Sequence, residues 1–306
     1  MFAACCVPAR APSGGGGVSQ EPPDDAEVQV VSGIVAGSRR YRSVDPAVVR
    51  RVASEELPRA RNREDAVKRV KRRLHQAVGA YRATGAAGAG GLARDLDRLR
   101  TARERDPDAR LGDELRAACR DLLARHASTR ERLPFLDRLY AGVWDAVGGV
   151  PASLLDLGCG LAPLSLPWMG LEASAHYHAI DADIGAIGLV DAFLSIVGQA
   201  HAAEVRDLAA PIGPQAAQPA DVALLLKLVP ILDRQDPSAA QRLVQGLAVR
   251  HVVASFPVRS LGGHARGMEA TYRRRVEALV SALGPRVRVQ TETSVPNELV
   301  VVLTLG

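Results

Sequence analysis

Apolar positions along the chain follow two rhythms that change over near residue 150. Before it they recur every three or four residues, the spacing of one helical face. Val48, Val49 and Val52 form one such face. Val67, Val70, Leu74, Ala77, Val78 and Tyr81 form another, so 44–82 reads as helical. Asp45-Pro46 and Asn62 supply helix starts. Residues 25–36 open either a first helix or a short extended piece. Leu92, Leu96 and Leu99 mark a polar helix over 92–103, and Leu111, Leu115, Cys119 and Leu122 one over 109–125. Ser128 with Glu131 has the form of a capping box. The helix it would start runs through Leu136, Leu139, Tyr140, Val143 and Trp144 to Val147 and stops at Gly148-Gly149. Beyond this point short apolar runs take over. Strands are expected near 152–157, 177–181, 203–206, 221–226, 250–255, 286–293 and 298–305, with helices near 163–170, 184–199, 236–248 and 264–283. Val295-Pro296-Asn297 joins the last two strands closely enough for an antiparallel hairpin.

Strands alternating with helices describe an open, mostly parallel α/β sheet. Its first strand, Leu154-Leu155-Asp156-Leu157, runs straight into Gly158-Cys159-Gly160, and acids close the next two apolar runs at Asp181 and Asp207. Acids at successive strand ends line the carboxyl edge of such a sheet, where ligands bind. The dinucleotide fingerprint is incomplete, because Pro163 occupies its third glycine position. A proline there also removes one N–H that a pyrophosphate would use. A ligand with ribose and adenine but no phosphate fits better, and S-adenosylmethionine is that ligand. Asp181 would take the ribose hydroxyls and Asp207 would sit near the adenine amino group; each acid alone reads equally well as a cap or a solvated loop residue. The fold class expected is thus α/β, a class I (Rossmann-like) S-adenosylmethionine-dependent methyltransferase sheet preceded by an all-helical N-terminal domain.

Composition sharpens the division. Residues 1–132 carry a net charge of +8 and the remainder −3. The basic residues are nearly all arginine, the lysines being Lys68, Lys71 and Lys227. A basic helical half beside a near-neutral α/β half suggests a phosphate-rich partner. The polar face of the helix after Asn62 holds Arg69, Lys71, Arg72 and Arg73, answered nearby only by Glu64 and Asp65. It reads as a nucleic-acid contact, against the plainer reading of a solvated face. Residues 1–24, rich in Pro, Gly, Ala and Ser, read as a disordered tail, and 84–91 as a flexible link. The expected domains are therefore the 1–24 tail, a helical binding domain over 25–125 and a methyltransferase domain over 126–306. The four cysteines have no zinc or disulfide spacing, which implies a reducing cytoplasm and no metal. No apolar run approaches a membrane span, and the start lacks a basic leader.

Three further residues stand at strand ends or just before the sheet. Arg132 suits a carboxylate such as the methionine end of the cofactor. Lys227 follows a buried strand directly, so its charge should enter a cleft, find a partner or snorkel to the rim. After the fifth strand, Phe256 reads equally as a base-stacking platform or as plain core, and Arg259 as a phosphate contact.

Taken together, His126-Ala-Ser-Thr-Arg-Glu-Arg-Leu-Pro134, Asp156-Leu-Gly-Cys-Gly160, Leu226-Lys227-x-x-Pro230 and Ser255-Phe-Pro-x-Arg-Ser-Leu-Gly-Gly263 resemble, in order and spacing, the aminoglycoside-resistance 16S rRNA (guanine(1405)-N(7))-methyltransferase family over about residues 40–305. The glycine turn is generic; the first and last motifs are specific to that group. The resemblance implies S-adenosylmethionine as cofactor, the assembled 30S subunit as partner and guanine N7 as target. It implies cofactor contacts at His126, Arg132, Gly158, Gly160, Asp181, Asp207 and Leu208. It places Lys227 and Arg259 near the target nucleotide; the residue reading itself puts Arg69, Lys71, Arg72, Arg73, Phe256 and Arg259 on RNA. The alternatives are methylation of another rRNA base such as adenine N1, against which the Ser-Thr-Arg-Glu-Arg-Leu-Pro stretch argues, and a non-enzymatic ribosome-binding protein on the same fold.

Overall fold

A computed structural model describes residues 23–76, 89–210, 219–258, 268–285 and 287–306. Most of the expected tail and most of the 84–91 link lie outside them, as do Arg259 and the Gly262-Gly263 pair. The α/β half is a seven-stranded sheet in the order β3-β2-β1-β4-β5-β7-β6. Its strands are β1 Ser153–Leu157, β2 His176–Asp181, β3 His201–Val205, β4 Ala220–Leu226, β5 Val249–Pro257, β6 Val287–Val295 and β7 Glu298–Leu305. β1 to β5 are parallel, and β7 inserts antiparallel between β5 and β6. The chain order reverses between β1 and β4, and the carboxyl ends beside that switch form the crevice where such sheets take ligands.

Both faces of the sheet are buried, which is why its strands read as apolar runs without clear alternation. Leu154, Val222, Leu224, Val253, Val300 and Val302 turn to one side, where they meet α5 (Asp113–Leu123), α7 (Leu136–Val147) and α8 (Ile184–Ile196). Leu155, Leu157, Ala223, Leu225, Ala254, Phe256, Leu299 and Val301 turn to the other, against α9 (Val229–Gln235), α10 (Ala239–Gln245) and α11 (Met268–Leu283). The helix expected over 236–248 is the shorter α10, and α9, ahead of it, was not expected. Asp236, whose backbone is extended, ends α9, and its side chain accepts from Ser238 at the entry to α10.

The helical half divides by packing. α1 (Asp25–Ala36), α2 (Pro46–Glu56) and α3 (Arg63–Leu74) enclose their own core around Val31, Val35, Val49, Val52, Val70 and Leu74. The 25–36 stretch is helical, capped by Asp24. α4 (Ala89–Arg105) and α5 instead place Leu99, Leu115, Cys119 and Leu122 in the core of one sheet face. The three-helix unit is stitched to the sheet edge by backbone bonds. Asp45 N–H donates to Ala182 O at 2.8 Å, Ile184 N–H donates to Ser43 O at 2.8 Å, and Val44 forms an antiparallel bridge with Asp183.

The segment before α7 departs from the expected capping box. Ser128 lies inside a single turn, α6 (Ala127–Arg130), that His126 precedes, and its hydroxyl bonds to His126 Nδ1 at 2.9 Å. A tight turn at Leu133–Phe135 follows, and α7 begins only at Leu136. Pro134 lacks the N–H that a continuous helix would use. Glu131 is thereby released from capping and turns toward the sheet. At the far end of α7, Gly148 adopts the left-handed conformation (φ 90°) that closes a helix, as expected.

Candidate active site

The carboxyl edge of β1, β2, β3 and β4 opens into a cavity of about 810 Å³. The glycine turn forms its floor. Gly158 and Gly160 have φ of 66° and 51°, a region open to glycine and costly for other residues. A Cβ on Gly158 would stand 2.8 Å from Leu228 Cδ1, so the end of that side chain would have to shift. Gly158 N–H and Cys159 N–H both donate to Ile180 O, and Gly160 N–H donates to Asp181 Oδ2 at 2.8 Å. Asp181 Oδ1 accepts from Asp183 N–H at 2.9 Å. The carboxylate therefore braces the turn and the start of α8 together.

Beneath the turn, Asp156 is 1% exposed. Its Oδ2 accepts from the Tyr177 hydroxyl at 2.7 Å, while its Oδ1 has no partner among the described residues. Burial pushes this carboxyl up to about 7, against the pull of the Tyr177 hydrogen bond and the Arg132 charge. An orphaned, buried polar oxygen lining a cavity is what a polar ligand would satisfy.

Opposite the turn lies a buried charge cluster. Arg132, 3% exposed, meets Glu298 through two edges, Nε to Oε2 at 2.9 Å and Nη2 to Oε1 at 2.6 Å. Lys227 Nζ donates to Glu131 Oε2 at 2.5 Å and lies 3.6 Å from Glu298 Oε2. Burial alone would raise the Glu298 carboxyl; the Arg132 guanidinium and the Lys227 ammonium outweigh it and hold the group below its ordinary value. Lys227 has a left-handed backbone (φ 61°), a strained state for a long side chain, and its N–H is held by Ser255 Oγ at 3.0 Å and Ser255 O at 3.1 Å.

At the β3 end, Asp207 is gripped by Arg51 of α2, Nε to Oδ2 at 2.5 Å and Nη2 to Oδ1 at 3.1 Å. Arg39, Arg42, Ser43 and Val48 add the wall contributed by the helical unit. The cavity volume lies within the range that small-molecule ligands occupy. Among the described residues no group of His, Cys, Asp and Glu is placed to hold a metal ion, and no helix is long and apolar enough to cross a membrane.

A family model described as "Ribosomal RNA methyltransferase (FmrO)" matches residues 37–302. A 16S rRNA (guanine(1405)-N(7))-methyltransferase of Frankia casuarinae is 41% identical over 94% of this chain and 98% of its own length. The chain belongs to the 16S rRNA (guanine(1405)-N(7))-methyltransferase family. A Micromonospora echinospora enzyme of the same description is 38% identical over 92% of this chain and 97% of its own. The solved structure of 16S rRNA methyltransferase RmtF in complex with S-adenosyl-L-homocysteine superposes with a TM-score of 0.74, at 32% identity, covering 92% of this chain and 98% of that one.

In this member of the methyltransferase family, the cavity brings together the whole of the expected cofactor set. His126, Arg132, Gly158, Gly160, Asp181, Asp207 and Leu208 all line it, as does Lys227. Two details add to the expectations. Arg132 also meets a carboxylate inside the protein, at Glu298, a residue on the last strand that no motif marked. Lys227, expected to enter a cleft, find a partner or snorkel, finds partners in Glu131 and Glu298.

The expected RNA set fares less evenly. Phe256 is fully buried against Tyr272, ring centroids 5.3 Å apart, so it is core and not a base-stacking platform. It shares a face of β5 with Ala254, the face that packs against α11. Arg259 lies outside the described residues. Arg69 and Arg73 of α3 are answered by Glu56 of α2, at 2.8 and 3.0 Å, which the count of acids along α3 alone could not reveal. Arg69, Arg72 and Arg73 still edge a shallow notch with Arg59 and Arg234, and Lys71 stands on the same helix. Arg51, Gln235 and Glu298 went unmarked, and Glu131 was read only as a capping residue, because each acts through a partner distant in sequence.

Proposed function

We propose that the cavity holds S-adenosylmethionine and that the chain methylates N7 of a single decoding-site guanine of 16S rRNA within the assembled 30S subunit, in the cytoplasm, conferring aminoglycoside resistance. One observation carries the reading: the glycine turn and the acids at the ends of β1, β2 and β3 converge on one cavity with Lys227 on its wall. The cofactor would supply an electrophilic methyl group on a sulfonium.

The chain's own residues divide the remaining work. Asp181 is assigned to the ribose hydroxyls, its two oxygens already oriented by Gly160 and Asp183. Asp207 and Leu208 are assigned to the adenine side. His126 and the Gly158–Gly160 turn are assigned to the methionine end. Arg132 is assigned to the cofactor carboxylate through Nη1, since Nε and Nη2 are taken by Glu298. Guanine N7 carries a free lone pair, so no base is needed to remove a proton. The site must align N7 with the methyl group and exclude water. The guanine would be extruded from structured rRNA to reach it. Lys227, in its strained backbone, is assigned with Arg259 to holding the extruded nucleotide. Arg69, Lys71, Arg72 and Arg73, on the α1–α3 unit, are assigned to the rRNA backbone.

Labelled S-adenosylmethionine should transfer its methyl group to purified 30S subunits and not to protein-free 16S rRNA. Label on free RNA would leave the fold and chemistry standing and remove the assembled subunit as substrate. Lys227→Ala should cut transfer strongly while leaving S-adenosylhomocysteine affinity nearly intact; a parallel loss of affinity would place Lys227 in the cofactor site.

A further inference from the structure

Asp207 reaches its partner across the chain. Arg51, on the second turn of α2, approaches it with two nitrogens, the planar fork that guanidinium and carboxylate share. The side chains are 19% and 10% exposed. Arg51 is itself fixed from two more sides, by Glu55 Oε1 at 3.0 Å and by Gln235 Oε1 at 2.6 Å. Gln235 closes α9, the helix that begins just after Lys227 and Leu228. Asp207 Oδ1 also accepts from Ala209 N–H at 3.0 Å, so the carboxylate shapes the short loop that presents Leu208 to the cavity. An arginine from the helical unit thus sets the position of a carboxylate, and the carboxylate sets a wall of the cavity.

We propose that Arg51 is a positioning residue for the cofactor: it holds Asp207 and the 207–209 loop in the cofactor-binding arrangement, so the cofactor site is complete only with α2 docked on the sheet. The inference rests on the reading above that Asp207 and Leu208 face the adenine side. Asp207 keeps acceptor capacity at Oδ2, since each carboxylate oxygen has two lone pairs: Arg51 and Ala209 N–H fill those of Oδ1, and Arg51 takes one on Oδ2. Releasing the carboxylate would leave a partly buried charge free to turn away and the loop free to follow.

The test is S-adenosylhomocysteine binding by calorimetry to the full chain and to Arg51→Ala, Arg51→Lys, Asp207→Ala and the Arg51→Ala/Asp207→Ala double variant. Methyl transfer to 30S subunits is measured at varied cofactor. Arg110→Ala serves as the control. It severs another tie from the helical half to the sheet, at Gln199 and Leu171 O, away from the cavity. Arg51→Ala should weaken binding roughly tenfold, the effect of about 1.4 kcal/mol, close to the lower end of what hydrogen bonds to charged groups contribute. Arg51→Lys should fall between, since an ammonium restores the charge without the fork. The double variant should bind no more weakly than Asp207→Ala, and the cofactor KM should rise while kcat at saturation holds.

If Asp207→Ala weakens binding and Arg51→Ala does not, the proposal fails and the adenine-side reading stands. Equal weakening by Arg110→Ala, or additive effects in the double variant, would also overturn it. Unchanged affinity in Asp207→Ala would overturn the adenine-side reading and the proposal together. Thermal unfolding confirms that each variant is folded at the assay temperature, and Arg51→Lys carries the question if Arg51→Ala does not fold.

Discussion

Glu298 balances two cations at once. Arg132 and Lys227 both lose most of their water in the folded state, and Glu298, at 1% exposure, is what makes that tolerable. Removing one partner of a buried ion pair leaves an uncompensated charge. Glu298→Gln is therefore expected to cost about 3–5 kcal/mol of stability at neutral pH, measured by urea unfolding. The pH dependence has a definite sign. The Glu298 carboxyl is held below its ordinary value when folded, so its contribution is present above the unfolded value and is lost as pH falls through the folded one. The variant should therefore lose less stability than the parent on acidification. A variant as stable as the parent at neutral pH would show that the cluster is not held by this charge. The residue was invisible in the sequence because its meaning depends on Arg132, 166 positions away. Lys227 was visible, because a lysine at the end of an apolar strand demands a partner wherever the strand goes.

At the scale of the element, the decisive unit is the β1 turn. Gly158 needs a left-handed backbone, and a methyl group there would also push on the end of the Leu228 side chain. Gly158→Ala is expected to cost about 1–2 kcal/mol from the backbone alone. It should also weaken S-adenosylhomocysteine binding, because Gly158 and Cys159 share Ile180 O and the adjoining Gly160 is held by Asp181. Affinity unchanged to within twofold, on the scale where tenfold is about 1.4 kcal/mol, would mean that the turn does not set the cofactor's place. Strands and the turn were legible because local patterns determine them: apolar runs, a G-x-G and acids at strand ends. The segment 126–136 was not. The capping-box pattern at Ser128 and Glu131 lost to Pro134 and to the partly buried pairing of Glu131 with Lys227, a tertiary contact that local pattern cannot register. Phe256 was left open between two roles, and the register of β5 against β7, which buries it, decided for core.

For the whole molecule, the asymmetry of charge marked the helical half as the basic one but overstated its freedom. Arg63 pairs with Glu27, Arg69 and Arg73 with Glu56, and Arg51 with Asp207, so part of the basic surplus ties the helices to each other and to the sheet. Arg72 and Arg234, which edge the notch between α3 and α9, remain the better probes of RNA docking. Arg72→Glu combined with Arg234→Glu should weaken 30S binding and flatten its dependence on salt, since each lost phosphate contact lowers the slope by about 0.7–0.9. Cofactor affinity should hold. A slope equal to the parent's would remove the notch from the docking surface. The three-helix unit also contributes Arg39, Arg42 and Ser43 to the cavity wall, so the same small unit meets both the site and its proposed substrate.

The central claim concerns which atom receives the methyl group. The direct measurement is chain cleavage specific for N7-methylated guanine, applied to 16S rRNA from 30S subunits treated with the protein and S-adenosylmethionine and read out by primer extension. The account predicts a single new stop at the decoding-site guanine, lost with Lys227→Ala. Methyl label incorporated without N7-dependent cleavage, or cleavage at a different guanine, would contradict it.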